Sequence, residues 1–179
     1  MKKDDMDRFY KSVFALCGLS LIVGGAQADH GEITFQGRVL APTCIINGGD
    51  GNLPVTLPDV NAAKLVRPGD VEGETAFVLQ LTGCTHIGQV STYFEPGASV
   101  SDQGRLIVDA GGSENVELQL LNSAKSIMNL AADKGSQNSQ EVTIVDGNAT
   151  LRYYAQYYST GRTTPGLVSS RIRYSLDYL

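Results

Sequence analysis

The 179-residue chain holds only two histidines and three cysteines. His30 and His86 stand alone, without the spacing that lets a histidine share a metal ion with other ligands, and they read as solvated. There is no CxxC pair, no glycine-rich phosphate loop and no Ser/His/acid constellation. No catalytic or metal-binding residue is therefore assigned, and neither a cofactor nor an enzymatic activity is expected. Basic residues are also scarce: 14 Lys and Arg stand against 19 Asp and Glu. That balance excludes the basic footprint of a nucleic-acid binder. The acids are scattered rather than blocked, which favours solubility over an acidic interaction tail.

Long apolar runs are missing too. The longest, SVFALCGLSLIV from Ser12 to Val23, covers about a dozen residues, where a membrane-crossing helix needs about 20. Lys2, Lys3, Arg8 and Lys11 precede it, and Ala26-Gln27-Ala28 follows as a small-residue cleavage site. Residues 1–28 thus read as a signal peptide, with the mature chain starting at Asp29. Asp4, Asp5 and Asp7 fit a basic leader poorly, and a start at Met6 would remove two of them. Leu16 before Cys17 is not small, which argues against lipoprotein cleavage there. Without the leader's four bases and three acids, 10 basic and 16 acidic residues remain, a net charge of −6.

Cys17 leaves with the leader, so Cys44 and Cys84 are the two cysteines of an exported chain. In an oxidising compartment they are expected to form one disulfide. Closing a loop of about 40 residues contributes roughly 4 kcal/mol in the chain-entropy account. A zinc or redox pair is the rival reading, opposed by the lack of CxxC and of a nearby histidine pair.

Strand signals dominate the mature chain. Period-two alternation or short apolar runs mark LPVTL (Leu53–Leu57), TAFVLQLTGC (Thr75–Cys84), VSTYF (Val90–Phe94), GRLIVD (Gly104–Asp109), NVELQLLN, EVTIVDGN and ATLRYYAQYYS. Phe77, Leu79 and Leu81 share a face, as do Val116, Leu118 and Leu120, and Leu151, Tyr153, Ala155 and Tyr157. The last twelve residues alternate strictly, with Ile172, Tyr174, Leu176 and Tyr178 against Arg171, Arg173, Ser175 and Asp177. Helix signals are thin: one turn at Asn61–Val66, capped by Asn61, and another in SIMNLAADKG that stops at Gly135. Many short strands broken by 20 glycines point to an antiparallel sandwich. The stretch Lys134–Gln140 looks like a linker but is too short to divide domains.

One strand signal is oddly placed. Ile33, Phe35 and Val39 alternate with Glu32, Thr34, Gln36 and Arg38 at the very start of the mature chain, and Gly37 interrupts their apolar face. Chain ends usually fray, so such a strand needs a partner. The motif G-x-I-x-F-x-G, a cysteine seven residues later, a second cysteine closing LQLTGC, YYAQYYSTGRTTPG and a terminal strand with a penultimate tyrosine occur in that order. Together they resemble pilin subunits of chaperone–usher fimbriae, most closely the shaft subunits of the type 1 group. The chain departs from that pattern only at its end, where Leu179 follows Tyr178 in place of a polar residue.

The resemblance implies an all-β, immunoglobulin-like sandwich that lacks its last strand. It divides the chain into a signal peptide (1–28), a donor-strand arm (29–40) and an incomplete domain (41–179). Gly31, Ile33, Phe35, Gly37 and Val39 of the arm would fill successive pockets of a neighbouring subunit, with Gly37 in a crowded fourth pocket. Ile172, Tyr174, Leu176 and Tyr178 would line the receiving cleft, and the carboxylate of Leu179 would anchor to a basic pair in a periplasmic chaperone. The implied partners are other pilin subunits, that chaperone, an outer-membrane usher and an unidentified host-surface receptor. A minor adaptor or adhesive subunit is the alternative, since the 15 residues before Cys44 make a short arm for a shaft subunit. The four tyrosines 153, 154, 157 and 158 raise the idea of a sugar platform, although tyrosines on both faces of a strand more often pack.

Overall fold

A computed structural model describes residues 33–38, 43–85 and 88–179. The expected leader, Gly31, Val39 and both histidines lie outside the described residues. The chain divides into two compact units, Met1–Val39 and Leu40–Leu179. In the first, residues 33–38 form no regular element and are all exposed, with Ile33 at 78% and Phe35 at 89%.

The second unit is built from β1 (Ile45–Ile46), β2 (Val71–Thr82), β3 (Gln89–Glu95), β4 (Leu106–Ile107), β5 (Val116–Leu121), β6 (Val142–Thr143), β7 (Ala149–Ser159) and β8 (Arg173–Tyr178). Every ladder is antiparallel. One sheet runs β1-β2-β7-β5-β4 and the other β6-β3-β8.

The alternation in β7 makes it the centre of the larger sheet. Leu151, Tyr153, Ala155 and Tyr157 are buried, while Arg152, Tyr154, Gln156 and Tyr158 face outward. β7 aligns Tyr153 with Phe77 and Leu151 with Leu79 of β2. Tyr153 also meets Phe94 of the other sheet edge-on, with ring centroids 5.3 Å apart. Such a pair adds about 0.5–1.5 kcal/mol beyond its area, so this one residue fastens the two sheets together. Leu79, Leu81, Val90, Leu130 and Leu151 complete the driest part of the core. β2 bends at an irregularity between Glu72 and Thr75. There Gly73 adopts φ +70°, and a Cβ at that position would lie 2.8 Å from the Tyr157 ring, so no larger residue fits.

Cys44 and Cys84 are joined, 40 positions apart in the sequence. The bridge is reinforced by the Thr85 amide donating to the Thr43 carbonyl at 3.0 Å and the Cys84 amide to the Gly147 carbonyl at 2.9 Å.

Three local expectations need correction. LPVTL is not a strand, because residues 51–60 join no ladder. SIMNLAADKG forms no helix; Asn129 Oδ1 accepts from the Ala131 amide instead, and Met128 and Leu130 are drawn into the core. The terminal strand begins at Arg173, so Ile172 precedes its ladder. The single turn after Asn61 does form, at Ala62–Lys64, with the Ala63 amide donating to Asn61 Oδ1 at 2.9 Å.

Candidate functional site

The feature that sets this sandwich apart is the free side of β8. Among the described residues its one ladder is with β3, from Val90↔Tyr178 to Glu95↔Arg173. Just beyond the ladder, Gln89 and Leu179 exchange both backbone hydrogen bonds, at 2.9 and 3.2 Å. In an antiparallel pair the bonded positions alternate, so Asp177, Ser175 and Arg173 also turn their backbone groups toward β3. Tyr174 and Leu176 therefore point N–H and C=O the other way, and no backbone partner meets them among the described residues.

Opposite that edge lies the segment 51–57, which makes no backbone–backbone hydrogen bond among the described residues. Pro54 and Pro58 lack the amide protons that a ladder needs there. Between the two lips runs a groove of about 550 Å³, with Leu53, Val55 and Leu57 on one side and Ile172 and Tyr174 on the other. Its floor is the core itself, including Phe77, Leu79, Phe94 and Leu118. The lips touch once, where the Tyr174 hydroxyl donates to the Gly51 carbonyl. Burial raises the pKa of that phenol.

Two other edges are closed from within. On the far side of β3, the fully buried side chain of Gln137 acts as a substitute peptide group. Its Oε1 accepts from the Phe94 amide at 2.9 Å, and its Nε2 donates to the Phe94 carbonyl at 2.6 Å and the Leu130 carbonyl at 3.0 Å. Beside β4, the connection leading to β8 takes the place of a further strand. The Asp109 amide donates to the Ser169 carbonyl and the Ser113 amide to the Leu167 carbonyl, both at 2.8 Å, and the Ser170 hydroxyl donates to the Ile107 carbonyl at 2.7 Å.

A second cavity, of about 670 Å³, adjoins the start of β8. It is lined by the Pro96–Ser99 turn, by residues 107–110 and by Arg171, Ile172 and Arg173, so it shares Arg171 and Ile172 with the groove. Two ion pairs rim it, Arg171–Asp109 at 3.5 Å and Arg173–Glu95 at 3.3 Å. Both guanidinium groups are largely solvated, so these pairs add little stability.

Of the residues singled out in the sequence, Ile172 and Tyr174 line the groove, while Leu176 and Tyr178 are half-buried against the core. Leu179 is exposed and continues the β3 pairing. In the arm, a Cβ built on Gly37 would meet nothing within 4 Å among the described residues. Sequence reasoning missed the lip at 51–57 and the Gln137 clasp; the paired prolines were the available signal for the first. Tyr153 and Tyr157 are core residues. Tyr154 carries Lys125 at 5.1 Å from its ring centroid, and Tyr158 carries Arg105 at 4.0 Å. Glu74 and Glu117 hold those two cations in place, so the outward rings are occupied by intramolecular partners.

Comparison with known proteins agrees with this architecture. The family described as FimA, Type-1 fimbrial protein, A, matches residues 57–179. The major fimbrial subunit SMF-1 of Stenotrophomonas maltophilia is 44% identical, covering 86% of this chain and 95% of its own length. The F17 fimbrial protein of Escherichia coli is 40% identical, covering 84% and 88%. Among solved structures, the P pilus rod subunit PapA superposes with a TM-score of 0.60 over 76% of this chain and 99% of PapA. At 16% identity that likeness speaks for the fold alone. A subunit from a chaperone–usher pilus gives a TM-score of 0.59 at 18% identity, over 84% and 96%. An immunoglobulin-like sandwich with one edge left open, carried by a sequence this close to major fimbrial subunits, belongs to the type-1 fimbrial protein family.

Proposed function

We propose that the chain is a shaft subunit that polymerises by donor-strand exchange. The arm of one copy, residues 29–40, enters the groove of the next and runs antiparallel to β8. One observation carries this reading: the outward backbone groups of Tyr174 and Leu176 meet no backbone partner among the described residues, and Tyr174 lines a groove whose floor is the hydrophobic core. Each buried polar group left unsatisfied costs about 1–3 kcal/mol, so an added strand relieves a standing cost. Strand addition of this kind is the established mode of chaperone–pilin complementation.

The arm supplies what the groove needs. Ile33, Phe35 and Val39 contribute roughly 1.5–3 kcal/mol each when their side chains leave water. The exposure of Ile33 and Phe35 in the chain itself is what an arm destined for another copy requires. Gly31 and Gly37 occupy the first and fourth places of the same alternating face. During export, a periplasmic chaperone fills the cleft and holds the Leu179 carboxylate with a basic pair. An outer-membrane usher then exchanges the chaperone for the next arm, and the fimbria reaches the cell surface. No nucleotide is required, because better packing after exchange drives the step.

Gly37→Trp tests the arm. The variant is expected to be exported with its Cys44–Cys84 bond intact and to yield no detergent-resistant polymer. Normal amounts of heat-resistant polymer from it would reject the assignment.

A further inference from the structure

The cavity at the start of β8 is comparable in size to the groove and is not explained by an arm that merely fills the space beside that strand. We infer that it seats the junction segment Leu40–Pro42 of the incoming copy, an inference that rests on the antiparallel donor-strand reading above.

Two properties of the cavity support this. First, it is continuous with the groove through Arg171 and Ile172. A strand antiparallel to β8 enters beside its last residues and leaves beside its first, so it exits over this cavity. Second, the walls match the segment. Pro96, Ala98, Val108 and Ile172 make an apolar lining, and Ile107 stands 42% exposed within it.

The segment has the complementary character. The arm alternates up to Val39, and then Leu40, Ala41 and Pro42 follow as three apolar residues in a row. A consecutive apolar run needs cover on more than one face, which a cavity provides and a flat sheet edge does not. Pro42 has no amide proton and so asks for no ladder partner. The run is also short. Thr43 is already held by the Thr85 amide, and Cys44 by its disulfide. Three residues span at most about 11 Å, so the body of the incoming copy is drawn against this rim. The junction between subunits is thereby a packed seat and not a free hinge.

Site-specific cross-linking tests the seat. Leu40→Cys combined with Ala98→Cys puts one thiol on the junction and one on the cavity wall of every subunit, and assembled polymer is treated with a short bismaleimide. The expected result is a covalent ladder that survives boiling in denaturant. Leu40→Cys with Lys134→Cys is the control, since Lys134 pairs with Asp177 at the opposite end of β8. That pair is expected to give monomers only. A ladder from the Lys134 pair, or monomers from both pairs, overturns the seating. If Leu40→Cys lowers assembly, Pro42→Cys replaces it with the same expected outcomes. Loss of polymer in Gly37→Trp together with no ladder at Ala98 removes the seat alone. Survival of polymer in Gly37→Trp removes the strand-exchange reading beneath it.

Discussion

The three-stranded sheet has two sides that face the same chemical problem and resolve it differently. Along β3, Phe94 turns its amide and carbonyl away from β8, and the Gln137 side chain satisfies both. Along β8, Tyr174 and Leu176 turn theirs outward with no such clasp. One side is finished by a residue 43 positions away in the same chain, and the other, on the reading proposed above, takes a second polypeptide. An open edge is normally a hazard for aggregation, and sheet proteins blunt it. Here the blunting is selective, and on the same reading that selectivity directs polymerisation to one edge.

The contrast can be broken in order of effect. Serine at Cys44 or Cys84 releases the chain that leads into the 51–57 lip, and the loss is roughly 4 kcal/mol on the loop-entropy account. Periplasmic yield of the subunit should fall sharply; unchanged yield would mean that the lip needs no such anchor. Gln137→Leu removes the clasp and leaves two buried groups of Phe94 unsatisfied, at about 3 kcal/mol in total. It should lower yield and make the fibres dissociate in less guanidinium. Fibres as resistant as the parent would show that β3 needs no cover.

The smallest effect is one of pH. Burial pushes the Tyr153 phenol above its ordinary value, a shift that its hydrogen bond to Ser139 partly offsets. The folded chain therefore keeps this proton after the unfolded chain, ionising near pH 10.0, has lost it. The stabilisation is complete below that pH and declines as pH rises toward the folded value. Tyr153→Phe should flatten this alkaline decline. An identical slope in the variant would assign the loss to other groups, Tyr157 and Tyr174 among them, whose pKa values are also raised by burial.

The sequence reveals what is periodic and hides what is paired at a distance. The alternation of β7 identifies its buried face from Leu151 to Tyr157, and that of the terminal strand identifies the half-buried face of Tyr174 and Leu176. LPVTL alternates just as well, yet it joins no ladder, because a strand is defined by a neighbour that no local window contains. Gln137 lies in a polar stretch that reads as a linker, and only the three-dimensional path brings it to Phe94. Gln119 sits in the polar row of β5 and is nevertheless buried, hydrogen-bonded to Gln156 across the sheet at 2.8 Å. Ile172 falls outside its expected strand because the residues just before it are committed to the edge beside β4.

If the arm inserts as proposed, the cysteine bridge also decides how the fibre bears load. Tension arriving through an inserted arm enters the body at Cys44 and crosses directly to Cys84, five residues before β3 begins. From there it passes along β3 into β8 and on to the next arm, with the hydrogen bonds between those strands sheared together instead of peeled one by one. Residues 45–83, which include the groove lip and all of β2, lie between the two cysteines and so outside that covalent path. A pull on the fibre thus bears directly on the β8 side of each groove and leaves the 51–57 lip out of its covalent path.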